Sequence, residues 1–93
     1  MLQPRKTADE QDVVRLWTVC PWSSNVTTYD LRNMALYSLL LEAEREGASE
    51  LEMARVFFHM KSGRHWNRMR AVVQTHLKRA HWLQDNAFPA LDW

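Results

Sequence analysis

The sequence predicts an all-α fold, a small helical bundle, on three observations. Apolar residues recur at helical spacing in separate stretches, and no run alternates with the period of two that a strand requires. Only two glycines and three prolines occur, and the turns they mark separate the helical stretches. The chain of 93 residues makes one small domain, and 46% of it is aliphatic or aromatic, so a core forms without staples.

Residues 1–27 are expected to be an N-terminal tail with one short helix. Asp9 can cap that helix, Val13, Leu16 and Trp17 share a face, and Cys20-Pro21 ends it because the residue before proline avoids helical angles. A loop rich in Ser, Thr and Asn follows from Trp22 to Thr28. Residues 28–93 are expected to form the main domain. Thr28 or Asp30 begins its first helix, Leu31, Met34, Ala35 and Leu41 give a wide apolar stripe, and Gly47 ends it where left-handed angles are needed. Ser49-Glu50-Leu51-Glu52 reads as a capping box, opening a helix with Leu51, Ala54 and Phe58 on one face and Met53 and Phe57 beside it. That helix stops between His59 and Gly63. A long helix is predicted over residues 64–83. At about 100° per residue, Trp66, Met69, Val73, His76, Leu77, Ala80 and Leu83 gather on one side. Arg64, Arg68, Thr75, Lys78 and Arg79 gather on the other, with Trp82 among them. The apolar tail residues Phe88, Leu91 and Trp93 are expected to fold back on the bundle.

Composition narrows the function classes. Cys20 is the single cysteine, so neither an internal disulfide nor a Cys-based zinc site is available, and a cytoplasmic protein is expected. The first residues are polar rather than a secretory signal, and the apolar runs are too short to span a bilayer. With no Gly-rich phosphate loop, no nucleophile elbow and no evident partner for Cys20, no enzyme is expected and no cofactor is implied. Four histidines raise a metal site, but His76 and His81 diverge by about 140° on a helix, and His59 and His65 flank a turn without Cys or carboxylate companions. His76 is instead expected to pack on the apolar stripe with a ring nitrogen satisfied locally. The net charge is +1, yet residues 42–52 hold five glutamates against Arg45, and residues 53–93 hold seven Lys or Arg against Asp85 and Asp92. One acidic and one basic surface region should result.

A short capped helix followed by a long helix with a basic face is the order in which helix-turn-helix proteins present a recognition helix. From Tyr37 onward the residues also carry a resemblance. They are Tyr37-Ser38-Leu39-Leu40-Leu41-Glu42-Ala43, Glu46-Gly47-Ala48, Ala54-Arg55-Val56, Arg68, Arg70-Ala71, Thr75-His76-Leu77-Lys78-Arg79-Ala80-His81-Trp82-Leu83, and then Phe88 and Leu91. This is similar to the proteobacterial family of domain of unknown function 2285, understood as a helix-turn-helix variant with a lengthened turn that is carried on mobile elements. The segment from His59 to Arg64 would be that turn. The chain departs from the family in its tail, Ala87-Phe88-Pro89-Ala90-Leu91, and in a turn made basic by Lys61-Ser62-Gly63.

The resemblance implies two opposed roles. In one, the domain follows a partner domain inside a transcriptional activator of conjugative transfer and its basic side holds DNA. In the other it stands alone and acts as an antiactivator, competing for the activator's N-terminal partner domain in an integrative and conjugative element under quorum control. The length of the chain favours the second. Partner contact is then expected at aromatic residues beyond the core's needs, Trp17, Trp22, Trp82, Phe88 and Trp93, with the acidic stretch repelling DNA. Under the DNA-binding alternative, Lys61, Arg64, Arg68, Lys78 and Arg79 would meet phosphates and Asn67 or Arg68 would reach base edges. Four phosphate contacts would give a log–log salt slope of about −3.6.

Overall fold

A computed structural model of the chain describes residues 18–87. The expected helix over residues 9–17, Trp17, and the tail residues Phe88, Leu91 and Trp93 lie outside the described residues. Within them the fold is all-α: α1 (Thr28–Arg32), α2 (Met34–Arg45), α3 (Glu50–Phe57), a single 3-10 turn (Gly63–His65) and α4 (Trp66–Asn86).

The expected first helix is in fact two, α1 and α2, meeting at Asn33. The Asn33 side-chain amide donates to the Tyr29 carbonyl at 2.8 Å, alongside the Asn33 backbone N–H at 3.1 Å. Such back-bonding competes with the helical ladder and bends it. The start is set by a capping box: the Thr27 hydroxyl accepts from the Asp30 N–H at 3.1 Å and an Asp30 carboxylate oxygen accepts from the Thr27 N–H at 2.9 Å. This register buries Asp30 and leaves Leu31 and Ala35 exposed, so these two leave the predicted apolar stripe. Gly47 ends α2 at φ 90°, as its position predicts.

The Ser49–Glu52 capping box that opens α3 is present as read from the sequence, with bonds of 3.1 and 2.8 Å. Met53 and Ala54 are buried, whereas Leu51 is exposed. After Phe58, His59 takes a left-handed φ of 59° and turns the chain toward Met60, whose N–H reaches back to the Ala54 carbonyl. Residues 58–65 thus form the long connection expected between the two helices.

The last helix is longer than predicted. Its α-helical part begins at Trp66, after the 3-10 turn, and runs to Asn86. Met69, Val73, His76, Leu77, Ala80 and Leu83 are buried, as the wheel predicts, and Trp66 is half-buried. α4 packs against both α2 and α3. One core cluster joins Leu40, Met53, Phe58, Met60, Met69 and Val73 between α2, α3 and the first half of α4. A second joins Cys20, Tyr37, Leu41, Ala80 and Leu83 under the second half.

Candidate functional site

The predicted basic face of α4 is altered most by a loop lying over its flank. The Cys20 N–H donates to the Thr75 hydroxyl at 2.9 Å, and that hydroxyl donates to the Ala71 carbonyl at 2.8 Å. One turn later, Arg79 closes the same loop. Its Nη1 donates to the Ser23 carbonyl at 2.5 Å and its Nη2 to the Asn25 carbonyl at 2.8 Å. A loop without a ladder of its own leaves carbonyls that need donors, and the guanidinium fork supplies them.

Arg79 is therefore not a solvent-facing phosphate contact. It is fully buried, and its Nε and Nη2 grip the Asp30 carboxylate at 3.0 and 2.6 Å. Asp30, also fully buried, accepts in addition from the Tyr37 hydroxyl at 3.0 Å and from the Thr27 N–H. Burial alone would raise the Asp30 pKa. The bonds from Arg79, Thr27 and Tyr37 outweigh it and hold the carboxyl at about 2. The same ion pair raises the Arg79 pKa. Because the Tyr37 proton goes to Asp30, the Cys20 thiol is the donor in its 3.4 Å contact with the Tyr37 oxygen. Burial pushes that thiol's pKa up, so Cys20 is a small core side chain.

His76 sits behind this pair and is buried, as expected. Its Nδ1–H donates to the Val72 carbonyl at 2.7 Å, so in the neutral ring Nε2 accepts from the Tyr29 hydroxyl at 2.5 Å. Burial lowers its pKa, with the Val72 bond acting in the opposite direction. Burial, together with Cys20 and Asp30 nearby, lifts the Tyr29 hydroxyl to about 12. Among the described residues no three His, Cys, Asp or Glu side chains gather as metal ligands, and no helix is long and apolar enough to cross a membrane.

Two of the predicted aromatic anchors meet over the Arg79 guanidinium, whose central carbon lies 5.1 Å from the Trp22 ring centre and 4.4 Å from that of Trp82. The rings approach each other edge to face at 5.8 Å, and the Lys78 ammonium stands 5.5 Å above Trp22. Trp82 is half-buried by this stack, but Trp22 remains 53% exposed, beside exposed Val19, Pro21 and Val26. The loop thus displays an apolar surface on a backbone fixed by Thr75 and Arg79.

The remaining predicted DNA contacts, Lys61, Arg64, Asn67, Arg68 and Lys78, are exposed. Most of them surround the turn and the first residues of α4; Lys78 lies about three turns further on. Between and just beyond these positions the solvent face meets carboxylates. Glu50 accepts from Arg70 Nε at 3.2 Å and from Gln74 Nε2 at 2.9 Å, and Glu44 meets His81 Nε2 at 2.6 Å. The glutamates of residues 42–52 and the cations of α4 therefore partly face one another, and the two predicted surface regions are not cleanly separate.

The sequence misses the Asp30–Arg79 pair, although half of its signal was legible. Thr27 followed three residues later by Asp30 is a capping-box pattern, and it fixes where Asp30 points. No family model, curated protein or solved structure matches the chain.

Proposed function

We propose that this chain is a protein-binding regulator, an antiactivator that occupies the N-terminal partner domain of a transcriptional activator and so blocks expression of excision and conjugative-transfer genes of a mobile element. The observation that carries the reading is Trp22: a large aromatic, half in water, on a loop anchored by two side chains of α4. An exposed tryptophan on an ordered backbone loses little entropy on docking, and interface energy concentrates in such residues. Trp82 backs it and Lys78 supplies a polar rim. The resemblance from Tyr37 to Leu91 supplies the class of partner. The carboxylates of Glu44 and Glu50 on the α4 face disfavour a DNA backbone there.

The test is a pair of titrations of the purified chain, against the activator's N-terminal domain and against transfer-promoter DNA at low salt. Submicromolar binding to the domain, lost in Trp22→Ala, with no DNA shift supports the reading. Salt-sensitive DNA binding without domain binding overturns it.

One observation favours the alternative of a DNA-binding helix-turn-helix regulator. Lys61, Arg64, Asn67 and Arg68 are all exposed around the start of α4, where such proteins touch base edges. With Arg79 withdrawn, the predicted cations left for phosphates are Lys61, Arg64, Arg68 and Lys78, and four contacts again give a salt slope of about −3.6.

A further inference from the structure

The loop over residues 18–27 carries no charged side chain, so the charges beside Trp22 come from α4. Thr75, Lys78, Arg79 and Trp82 fall within one flank of that helix. Three of them are committed to the loop. Thr75 holds Cys20, Arg79 holds Ser23 and Asn25, and Trp82 meets the Trp22 ring edge to face. Arg79 is also neutralised by Asp30. Lys78 is the member of the four that carries its charge into water. Its ammonium is held over the Trp22 ring rather than left to swing, so that charge is in place before a partner arrives.

Asp85 brings a second charge to the same flank. It is exposed, and it follows Lys78 on the unbroken helix by about 10 Å along the axis and about 20° around it. Neither Lys78 nor Asp85 has an ion-pair partner among the described residues. Trp82 stands between them along the axis, turned toward the loop, where the Trp22 ring is half in water. The surface is thus ordered as cation, aromatic centre, carboxylate. We infer that it takes a protein segment with an apolar centre, a carboxylate to meet Lys78 and, about 10 Å further on, a cation to meet Asp85. A segment laid in the opposite direction sets like charges together at both ends, so the two charges fix one orientation. The inference rests on the reading of the Trp22 surface as a docking site and adds the chemistry of what docks there.

Selection of a random peptide library on the immobilised full chain reads that chemistry without a known partner. Peptides enriched on the wild type should carry an apolar centre with an acidic residue on one side and a basic residue on the other. On Lys78→Glu the acidic position should turn basic, on Asp85→Lys the basic position should turn acidic, and Lys78→Arg should keep the wild-type pattern. An enriched peptide, synthesised and titrated, should bind Lys78→Glu at least tenfold more weakly than the wild type. Helical circular dichroism unchanged from wild type confirms that these exposed substitutions leave the fold intact. A selection with no enrichment overturns the inference, as does a pattern without the acidic residue or one indifferent to Lys78→Glu. A wild type that dimerises in sedimentation velocity, and no longer does so in Lys78→Glu, overturns it in favour of a second copy. The activator's N-terminal domain separates this inference from the proposed function. Binding of the domain that is lost in Trp22→Ala but indifferent to Lys78→Glu and Asp85→Lys overturns the inference and leaves the proposed function standing. The expected peptide pattern beside a domain that does not bind supports the inference and overturns the choice of partner.

Discussion

Asp30 and Arg79 form a two-pronged ion pair, 2.6 and 3.0 Å, in which both side chains are buried from water. The pair joins the first turn of α1 to the second half of α4, and through Arg79 it fixes the loop that carries Trp22. It converts a side chain that the helical wheel assigns to solvent into the support of the proposed docking surface.

Removing either partner strands the other charge. Asp30→Ala and Arg79→Met should each cost about 3–5 kcal/mol in urea denaturation, because an uncompensated buried ion remains. A domain of this size has total stability on the order of 5–14 kcal/mol, so each variant should lose from about a fifth to all of it. The double variant should recover part of the loss. Arg79→Lys should not rescue, since an ammonium has three donors on one nitrogen and cannot replace the four bonds that the guanidinium fork makes to Asp30, Ser23 and Asn25. Charge reversal at Arg79 is accordingly no probe of DNA binding, and the informative reversals are at Arg64 and Arg68.

Acid should unfold the protein in two stages. His76 has a pKa lowered by burial, so the unfolded chain binds its proton first. Its contribution is complete above about pH 6.5 and is lost as pH falls below that toward the folded value. Asp30 is held at about 2, so its stabilisation is present above about pH 4 and is lost as pH falls toward 2. The Asp30 part amounts to about 2 kcal/mol. Stability measured by urea titration from pH 8 to 3 should show both declines, and His76→Phe should remove the upper one.

The two glycines should respond differently. Gly47 has φ 90° with open space where a Cβ would stand, so Gly47→Ala costs backbone strain alone, about 1 kcal/mol. Gly63 has equal space and no positive φ, so Gly63→Ala should be neutral or stabilising by up to about 1 kcal/mol. Thermal melts of the two variants side by side check this.

Neutralising the acidic clamps should make α4 bind DNA better. In the double variant Glu44→Gln with Glu50→Gln, Arg70 and His81 lose their carboxylate partners. Nonspecific DNA affinity at low salt should then rise severalfold in a gel-shift titration, with little change in stability because these pairs are exposed.

The helices were legible because their signals are local. The Ser49–Glu52 box, the left-handed Gly47 and the spacing of Met69, Val73, His76, Leu77, Ala80 and Leu83 each need only a few neighbouring residues to be read. What was not legible depends on segments far apart in sequence. The wheel groups Arg79 with the basic residues, and only the fold-over of residues 20–27 decides that it is inside. The split at Asn33 and the exposure of Leu31 follow from the Thr27–Asp30 register, a pattern present in the sequence but outweighed there by the apolar count. The basic face shrank for a related reason: Glu44 and Glu50 reach it from other helices. Trp22 and Trp82 do come together, while Trp17, Phe88 and Trp93 fall outside the described residues.

The most direct measurement is transcription in vitro from a transfer promoter driven by the activator, with this chain added in increasing amounts. The expected result is a saturable fall in transcript, relieved by excess activator N-terminal domain, weakened at least tenfold in Trp22→Ala and unchanged when Arg64 and Arg68 are both reversed in charge. Transcript that is unaffected by the wild type, or repression that vanishes with the two arginines and persists without Trp22, would contradict it.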